Sequence, residues 1–278
     1  MRLECIEASE FNLQATLGSG QVFHWSLEGK GWQGLIGDTN VYVEQSGRHL
    51  KCAPGHAKKI ARYFALDHPM EEIYASFPEH EFMQAAVESC RGIRIIRQPL
   101  WECVATFMTS PMKQVAHIRQ MSLAIRAKFG SPVRNSTVNA YPTPEKIAAL
   151  TEQALRECGL GFRAKNVLLA AQAIAEGRIN LEAIAKLPTK EARESLCQIR
   201  GIGKKVANCI LLFGYERLDA VPIDVWIARV LREVFLKKKR KLTLQKMEEF
   251  STTSLGNYAG YAQQYLFHHA RVAKALRA

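Results

Sequence analysis

The sequence lacks clustered cysteines, long apolar runs and low-complexity segments, and each absence excludes a class of protein. Its seven cysteines lie at least twelve residues apart, so neither a zinc site nor a disulfide framework is predicted. No window approaches the roughly 18 consecutive apolar residues of a membrane-spanning helix. The amino terminus also lacks the basic and then apolar pattern of a secretion signal. We therefore expect a soluble, intracellular protein with no membrane partner.

Positive charge is what the sequence has in excess. Among its 278 residues, 38 are Lys or Arg and 26 are Asp or Glu, which gives a formal net charge of +12. The hydrophobic share of 47% excludes a disordered chain and is typical of a globular one. A surplus of this size favours a polyanionic partner such as nucleic acid. A charge that serves solubility, or that binds an acidic protein, is the alternative.

The hydrophobic periodicity changes along the chain. In the first fifth, short aromatic or β-branched segments alternate with glycine-containing turns, which predicts an antiparallel sheet with strands at 22–27, 32–36, 41–45 and 49–52. Apolar spacings of three and four residues then predict helices. From Leu100 onward, the predicted helices are 101–109, 114–129, 144–150, 151–158, 164–176, 190–198, 204–214, 225–235, 244–255 and 259–275.

These segments predict an α+β fold. A small amino-terminal domain, residues 1–98, would contain the antiparallel sheet and flanking helices. A mainly helical body, residues 99–278, would follow it. We find no internal repeat of fixed period.

The most informative run in the helical part is LCQIRGIGKKVANCILLF, residues 196–213. It predicts one helix, a short hairpin and a second helix that begins at Lys204. Gly201 and Gly203 let backbone N–H groups approach a ligand closely, and the second helix directs its positive end to the same place. The pattern is typical of a phosphate site. An ordinary helix–helix turn capped by glycine is the alternative.

This run resembles the helix-hairpin-helix motif of DNA repair glycosylases. Gly201, Gly203 and Lys205 match the Gly-x-Gly-x-Lys form of the members that also cleave the strand, and Pro222-Ile223-Asp224 matches the superfamily's Pro-x-Asp. The resemblance implies that the motif spans about 190–214, that the hairpin glycines bind DNA phosphate, and that the catalytic Asp lies in a loop at 220–225. By residue type alone, Asp224 is a helix N-cap and Lys205 lies on a solvated helix face.

The chemistry of a glycosylase explains why a Lys and an Asp are needed together. Breaking an N-glycosidic bond builds positive charge on the sugar, and a fixed carboxylate such as that of Asp224 stabilises it. The amine of Lys205 can attack C1′ of the deoxyribose, form a Schiff base and set up β-elimination of the 3′ phosphate. Members that remove alkylated bases with water usually lack this Lys, so Lys205 favours a bifunctional enzyme.

Two further runs resemble one branch, the 8-oxoguanine DNA glycosylases of the eukaryotic type. They are LGSGQVFHW at 17–25 and YAGYAQQYLF at 258–267. The resemblance implies that the Gly20 carbonyl accepts a hydrogen bond from N7–H of the oxidised base. It also implies that Gln263 contacts the Watson–Crick edge of the flipped base, while Phe267 stacks on its face opposite Cys209. A plain turn at Gly20 and core packing of Phe267 are the alternatives.

A third run, LGFRAK at 160–165, resembles a loop of the same branch that enters the duplex. The resemblance implies that Phe162 wedges into the stack beside the base opposite the lesion. It implies that Arg163 reaches the opposite strand.

The chain departs from this branch at three positions that the resemblance places against DNA. Met112 stands where an Asn of the family bonds the cytosine opposite the lesion, and His117 replaces the Arg that reads this cytosine. A thioether fills space without donating a hydrogen bond, so we expect relaxed preference for the opposite base. Trp226 stands where the family often has a His that contacts phosphate or the base pocket.

No cofactor is expected. Some relatives hold an iron–sulfur cluster with four cysteines after the catalytic Asp, but no Cys follows Cys209 in this chain. No metal is required either. The backbone carbonyls of Cys197, Ile199 and Ile202 are candidates for a monovalent cation that bridges to phosphate.

These observations predict a monomeric enzyme that flips 8-oxoguanine out of double-stranded DNA, excises it and nicks the strand. In a bacterium it would be cytoplasmic and associated with the nucleoid. One alternative is a glycosylase that removes alkylated purines without strand cleavage, and another is a non-catalytic DNA-binding protein. The basic run 237–241 is predicted to be a solvated loop, with a patch that follows phosphates as its alternative.

Overall fold

The computed structural model describes residues 3–236 and 243–275. It begins with a five-stranded antiparallel sheet in the order β1-β5-β4-β3-β2. The strands are β1 (Glu4–Glu7), β2 (Ser26–Glu28), β3 (Gly31–Ile36), β4 (Thr39–Ser46) and β5 (His49–Cys52). In the register of the first pair, Glu4 lies opposite Cys52. A helical body follows, so the predicted α+β class is confirmed.

The start of the sheet differs from the prediction. Residues 22–25 are irregular, and the strand predicted at 22–27 is limited to β2. All four of these side chains are nevertheless buried. Val22 and Trp25 pack in the core under the sheet, Phe23 packs in the core of the helical body, and His24 contacts the Leu35 carbonyl. The apolar pattern of 22–25 therefore arises from packing against two cores and not from a strand. The edge strand β1 was not predicted, since its side chains are mostly exposed.

The helices of the first hundred residues are α1 (Leu13–Gly18), α2 (Ala57–Tyr63), α3 (Met70–Ala75) and α4 (Glu81–Cys90). The helices of the body are α5 (Leu100–Met108), α6 (Val115–Phe129), α7 (Pro144–Ala148), α8 (Glu152–Leu155), α9 (Arg163–Ala175), α10 (Leu181–Ala185), α11 (Thr189–Cys197), α12 (Lys204–Phe213), α13 (Val225–Val230), α14 (Leu244–Ser254) and α15 (Ala259–Ala275). A single π-helical turn, Leu231–Phe235, extends α13, while the turn after α8, Arg156–Leu160, is broken at Gly159, which has a φ of +84°.

The larger hydrophobic core lies in the helical body, with α12 at its centre. From Val206 to Phe213 every side chain of α12 is buried, so only the first turn of that helix reaches a surface. Met70 and Ile73 of α3 and Met83 of α4 also belong to this core, although they precede residue 98. The domain boundary at 98 stays a prediction. The basic run 237–241 lies outside the described residues.

Candidate active site

One cavity brings together the six residues predicted to act in catalysis and in base binding. Its lining comprises Gly20, Phe107, Lys205, Cys209, Phe213, Pro222, Asp224, Gln263, Gln264 and Phe267. They come from the turn after α1, the carboxyl end of α5, the helix α12, the start of α13 and one face of α15. Both predicted catalytic residues and all four predicted base-binding residues therefore line the same site.

Lys205 lies in the first turn of α12 and faces this cavity. Its Nζ donates to Ser110 Oγ at 3.2 Å and lies 5.9 Å from the centroid of the Phe107 ring. The neighbouring Lys204 points the other way and forms an exposed ion pair with Glu248, with 2.9 Å between Nζ and Oε2. Lys204 therefore lies on the solvated face of the helix, whereas the amine of Lys205 is available to a ligand in the cavity.

Asp224 is both the N-cap of α13 and a wall of the cavity. Its Oδ1 accepts hydrogen bonds from Trp226 N at 3.0 Å and Ile227 N at 2.9 Å. Burial raises the pKa of Asp224 above its ordinary value, while these N–H donors and the charge of Lys205 act against that rise. The capping bonds therefore favour the carboxylate form and fix its orientation.

The loop before Asp224 is tied to α12 by a residue that the sequence analysis did not name. Asn208 Nδ2 donates to the Val221 carbonyl at 2.8 Å, and Asn208 Oδ1 accepts from Arg193 Nε, also at 2.8 Å. The sequence signal for this role is a polar residue between Ala207 and Cys209, within an otherwise apolar part of α12.

The base side of the cavity carries an unpartnered hydrogen-bond acceptor. Gln263 is only 4% exposed, and its Oε1 has no hydrogen-bond partner among the residues that the structure describes. Cys209 also lines the cavity and is buried, and burial raises the pKa of its thiol. A buried amide oxygen without a donor is costly, so this oxygen is a candidate acceptor for a ligand that enters the cavity.

Gly20 has a backbone conformation that favours glycine, in a closely packed turn. Its φ is +87°, and a Cβ there would lie 3.2 Å from Val115 Cγ2 and 3.4 Å from Phe267 Cε1. Two unpredicted side chains hold the turn from α15. Gln264 Nε2 donates to the Ser19 carbonyl at 2.9 Å, and Arg271 donates to the carbonyl of Gly18.

The two glycines of the hairpin before α12 are exposed, while Ile199 and Ile202 are buried beneath them. Gly201 has a φ of +92°, and a Cβ on it would lie 2.6 Å from Asn166 Nδ2. Gly203 caps α12 without a side chain. Of the three candidate carbonyls for a cation, that of Ile199 accepts a hydrogen bond from Ile202 N at 3.0 Å. Within 3–236 and 243–275, no cluster of His, Cys, Asp and Glu side chains could hold a metal.

Two large apolar side chains project from loops near the start of α9 and after α5. Met112 is 91% exposed with a φ of +57°, and Phe162 is 61% exposed. His117 is exposed on the first turns of α6. Trp226 is half-buried on α13, with the guanidinium carbon of Arg229 5.8 Å from its ring centroid.

Arg163 differs from the prediction that it reaches towards DNA. It is 5% exposed. Its Nε donates to the Pro111 carbonyl at 3.0 Å, and its Nη1 to the Leu160 carbonyl at 3.4 Å. In this structure the side chain therefore connects two loops of the protein.

The sequence matches two family models and several known repair enzymes. The model for the N-terminal domain of 8-oxoguanine DNA glycosylase matches residues 5–104, and that for HhH-GPD superfamily base excision DNA repair proteins matches residues 107–253. A "Probable N-glycosylase/DNA lyase" of Methanothermobacter thermautotrophicus is 29% identical over 77% of this chain and 74% of its own length. An N-glycosylase/DNA lyase of Saccharomyces cerevisiae is 27% identical over 94% of this chain and 84% of its own.

A solved structure extends the likeness to nearly every described residue. The Clostridium acetobutylicum 8-oxoguanine glycosylase/lyase, in complex with double-stranded DNA containing cytosine opposite 8-oxoguanine, superimposes with a TM-score of 0.89 at 27% identity. The match covers 99% of this chain and all of the other. No helix of the described ranges has the length and hydropathy to cross a membrane. The chain therefore belongs to the HhH-GPD superfamily of base excision DNA repair proteins and carries the N-terminal domain of 8-oxoguanine DNA glycosylases.

Proposed function

We propose that the protein is a bifunctional repair enzyme that excises 8-oxoguanine from duplex DNA and cleaves the strand at the abasic site. The observation that carries this proposal is the meeting of Lys205 and Asp224 with Gln263 in one cavity. The names of the relatives, N-glycosylase/DNA lyase and 8-oxoguanine glycosylase/lyase, support it.

Recognition of the base follows from the acceptors that line the cavity. The unpartnered Oε1 of Gln263 suits the N–H donors on the Watson–Crick edge of a guanine-type base. Phe267 offers a ring for stacking. The Gly20 carbonyl would take N7–H, a donor that 8-oxoguanine has and guanine lacks. A site that offers an acceptor to this N7–H discriminates against guanine, because the acceptor would then be left without a hydrogen bond.

Excision begins when the flipped nucleotide places C1′ between Lys205 and Asp224. As the glycosidic bond breaks, its electron pair leaves with the base, and the Asp224 carboxylate stabilises the positive charge on the sugar. The neutral Lys205 amine forms a bond from Nζ to C1′ and loses a proton. The departing base takes up a proton.

Strand cleavage continues from the same covalent adduct. The sugar ring opens to give a Schiff base between Nζ and C1′. Loss of a proton from C2′ then drives β-elimination, in which the bond from C3′ to oxygen breaks and the 3′ phosphate leaves. Water hydrolyses the imine, which returns Lys205 to its amine form.

The partner is double-stranded DNA, which the net charge of +12 attracts before any specific contact forms. Phosphate would bind the N–H groups of the Gly201 and Gly203 hairpin, with a monovalent cation at the adjoining carbonyls as an accessory. No cofactor takes part, the enzyme acts as a monomer, and in a bacterium it works in the cytoplasm at the nucleoid.

Met112 and His117 give this enzyme a relaxed preference for the base opposite the lesion. Met112 is exposed beside the loop that carries Phe162, where its thioether fills space without reading a hydrogen-bond pattern. His117 has an imidazole where the family has an Arg, whose guanidinium can form two hydrogen bonds with a base edge.

The test is to identify the base that is released and the state of the strand. Duplexes with 8-oxoguanine, guanine or 3-methyladenine at one position are incubated with the protein, and the products are separated with and without heating in alkali. Release of 8-oxoguanine with a nick before alkali supports the proposal. Release of 3-methyladenine alone, with nicks only after alkali, would indicate the alkyl-base alternative. Binding without release would indicate a non-catalytic protein.

A further inference from the structure

The burial of Arg163 needs an explanation, because its partners are all uncharged. Its guanidinium donates twice to the Pro111 carbonyl and once to that of Leu160, and its carbon lies 4.3 Å from the centroid of the Phe162 ring. Burial lowers the pKa of Arg163 from its ordinary value. Burying a guanidinium is costly unless it is hydrogen-bonded, and here the Pro111 and Leu160 carbonyls supply those bonds. The same bonds fix the loop after α5 against the loop before α9.

The turn that Arg163 holds also contacts the proposed nucleophile. The hydroxyl of Ser110 donates to the Phe107 carbonyl at 2.7 Å. Because its single hydrogen is engaged there, Oγ acts only as an acceptor towards Lys205 Nζ, 3.2 Å away. The turn is closed by a hydrogen bond of 3.1 Å from Lys113 N to the Ser110 carbonyl.

A continuous set of contacts therefore joins the loop of Phe162 to the amine of Lys205. It runs from Phe162 to Arg163, through Pro111 and Ser110, and ends at Lys205. The same turn presents Met112, so both exposed apolar side chains are mechanically connected to the cavity.

We infer that Arg163 is a positioning residue that fixes the Ser110–Pro111 turn and thereby aims the Lys205 amine at C1′. Ser110 takes one N–H of Lys205, which leaves the lone pair of the neutral amine directed into the cavity. Insertion of Phe162 and Met112 into a duplex acts on this turn, so engagement of the duplex is coupled to the position of the nucleophile. The inference rests on the proposed function and assigns Arg163 a role inside the protein rather than on the opposite strand.

The experiment measures Schiff-base formation separately from DNA binding. A duplex with a preformed abasic site is mixed with excess enzyme in the presence of borohydride, and trapping rates are recorded over a range of enzyme concentrations and salt. The variants are Arg163→Gln, Arg163→Lys, Ser110→Ala and the double variant Arg163→Gln/Ser110→Ala. Arg178→Gln is the matched control. It removes the same charge as Arg163→Gln, but from an exposed side chain shortly after α9.

We expect Arg163→Gln and Ser110→Ala each to lower the saturating trapping rate by about tenfold. The half-saturating concentration should stay within about twofold of wild type, and the double variant should be no slower than the slower single one. Arg163→Lys should recover part of the rate, because an ammonium can still donate to Pro111. The control should match wild type.

Two results would overturn the inference. One is an unchanged saturating rate in Arg163→Gln with weaker binding and a salt slope reduced by about one, as expected of a phosphate contact. The other is a double variant whose losses multiply. If Arg163→Gln melts below the assay temperature, Ser110→Ala decides, and a wild-type rate in it rejects the inference. Failure of the wild type to trap would instead reject the proposed lyase.

Discussion

The amide of Asn208 holds the Val221 carbonyl, with 2.8 Å between Nδ2 and the oxygen. This bond joins the helix that carries Lys205 to the loop that carries Asp224. The two residues on which the proposed chemistry depends are therefore held in one frame, although they belong to different helices. A helix N-cap fixes a carboxylate only relative to its own helix, and Asn208 fixes that helix relative to α12.

Asn208→Asp should slow base excision by about ten- to a hundredfold, because it replaces the donor to Val221 with an oxygen that repels the carbonyl. The buried carbonyl left without a donor should lower the free energy of unfolding by about 1–3 kcal/mol. Single-turnover release of 8-oxoguanine and urea unfolding measure the two effects. Arg193→Gln leaves the amide donor in place and should have the smaller effect on excision. Wild-type excision by folded Asn208→Asp would contradict the account.

Gln263→Leu should raise stability and lower activity. The substitution removes a buried acceptor that has no described partner, so the free energy of unfolding should rise by about 1–3 kcal/mol. Excision of 8-oxoguanine should fall by about one to two orders of magnitude, while trapping on a preformed abasic site should persist because no base is present there. Thermal unfolding and the two single-turnover assays separate these effects. A variant that is less stable and fully active would show that Gln263 packs without binding.

His24 should make the protein less stable in mild acid. It is buried between Leu35 O at 2.8 Å and Glu102 Oε1 at 3.3 Å. Burial, with the charge of Arg126, lowers the pKa of His24 to about 4 from an unfolded value of 6.5. The unfolded chain therefore takes up a proton first, and stability falls as the pH falls from 6.5 towards 4.

Between pH 7.5 and 5, this one residue should account for about 2 kcal/mol of the loss. His24→Gln, which can still donate to Leu35, should lose that much less than wild type in urea unfolding. The pKa of His68 is also lowered by burial, so some acid sensitivity should remain in the variant. Equal pH dependence in the two proteins would contradict the account.

Met112→Asn should raise the preference for cytosine opposite 8-oxoguanine. In the wild type we expect excision rates opposite the four bases to differ by less than about tenfold, because a thioether reads no hydrogen-bond pattern. An amide at this exposed position can bond the cytosine edge and should favour it by about 1–3 kcal/mol. Excision rates opposite C, A, G and T measure the change. A wild-type preference for C of several orders of magnitude would reject this role of Met112.

Sequence patterns predicted the parts of the molecule in which local signals and packing agree. The predicted helices after residue 100 begin within one residue of those in the structure, because their apolar spacing and end residues point to the same boundaries. The proposed catalytic pair was predicted from the resemblance of two short motifs to those of DNA repair glycosylases. The structure places Lys205 in the first turn of α12 and Asp224 at the N-cap of α13, and both side chains line one cavity.

What the sequence did not predict depends on contacts between distant residues. The bond from Gln264 to the Ser19 carbonyl spans 245 residues, and that from Arg163 to Pro111 spans 52. No local pattern distinguishes an Arg that points to solvent from one that turns back onto a carbonyl. The roles of Ser110 and Asn208 were missed for the same reason, since their partners are defined only by the fold.

Borohydride trapping shows whether Lys205 forms the covalent bond to the sugar. Wild-type protein and Lys205→Gln are incubated with a duplex containing 8-oxoguanine in the presence of borohydride, and the protein–DNA adduct is resolved on a denaturing gel. We expect a trapped complex with wild type and none with Lys205→Gln, which should still bind the duplex. Excision by the wild type without any trapped complex, or trapping that survives Lys205→Gln, would show that Lys205 is not the nucleophile.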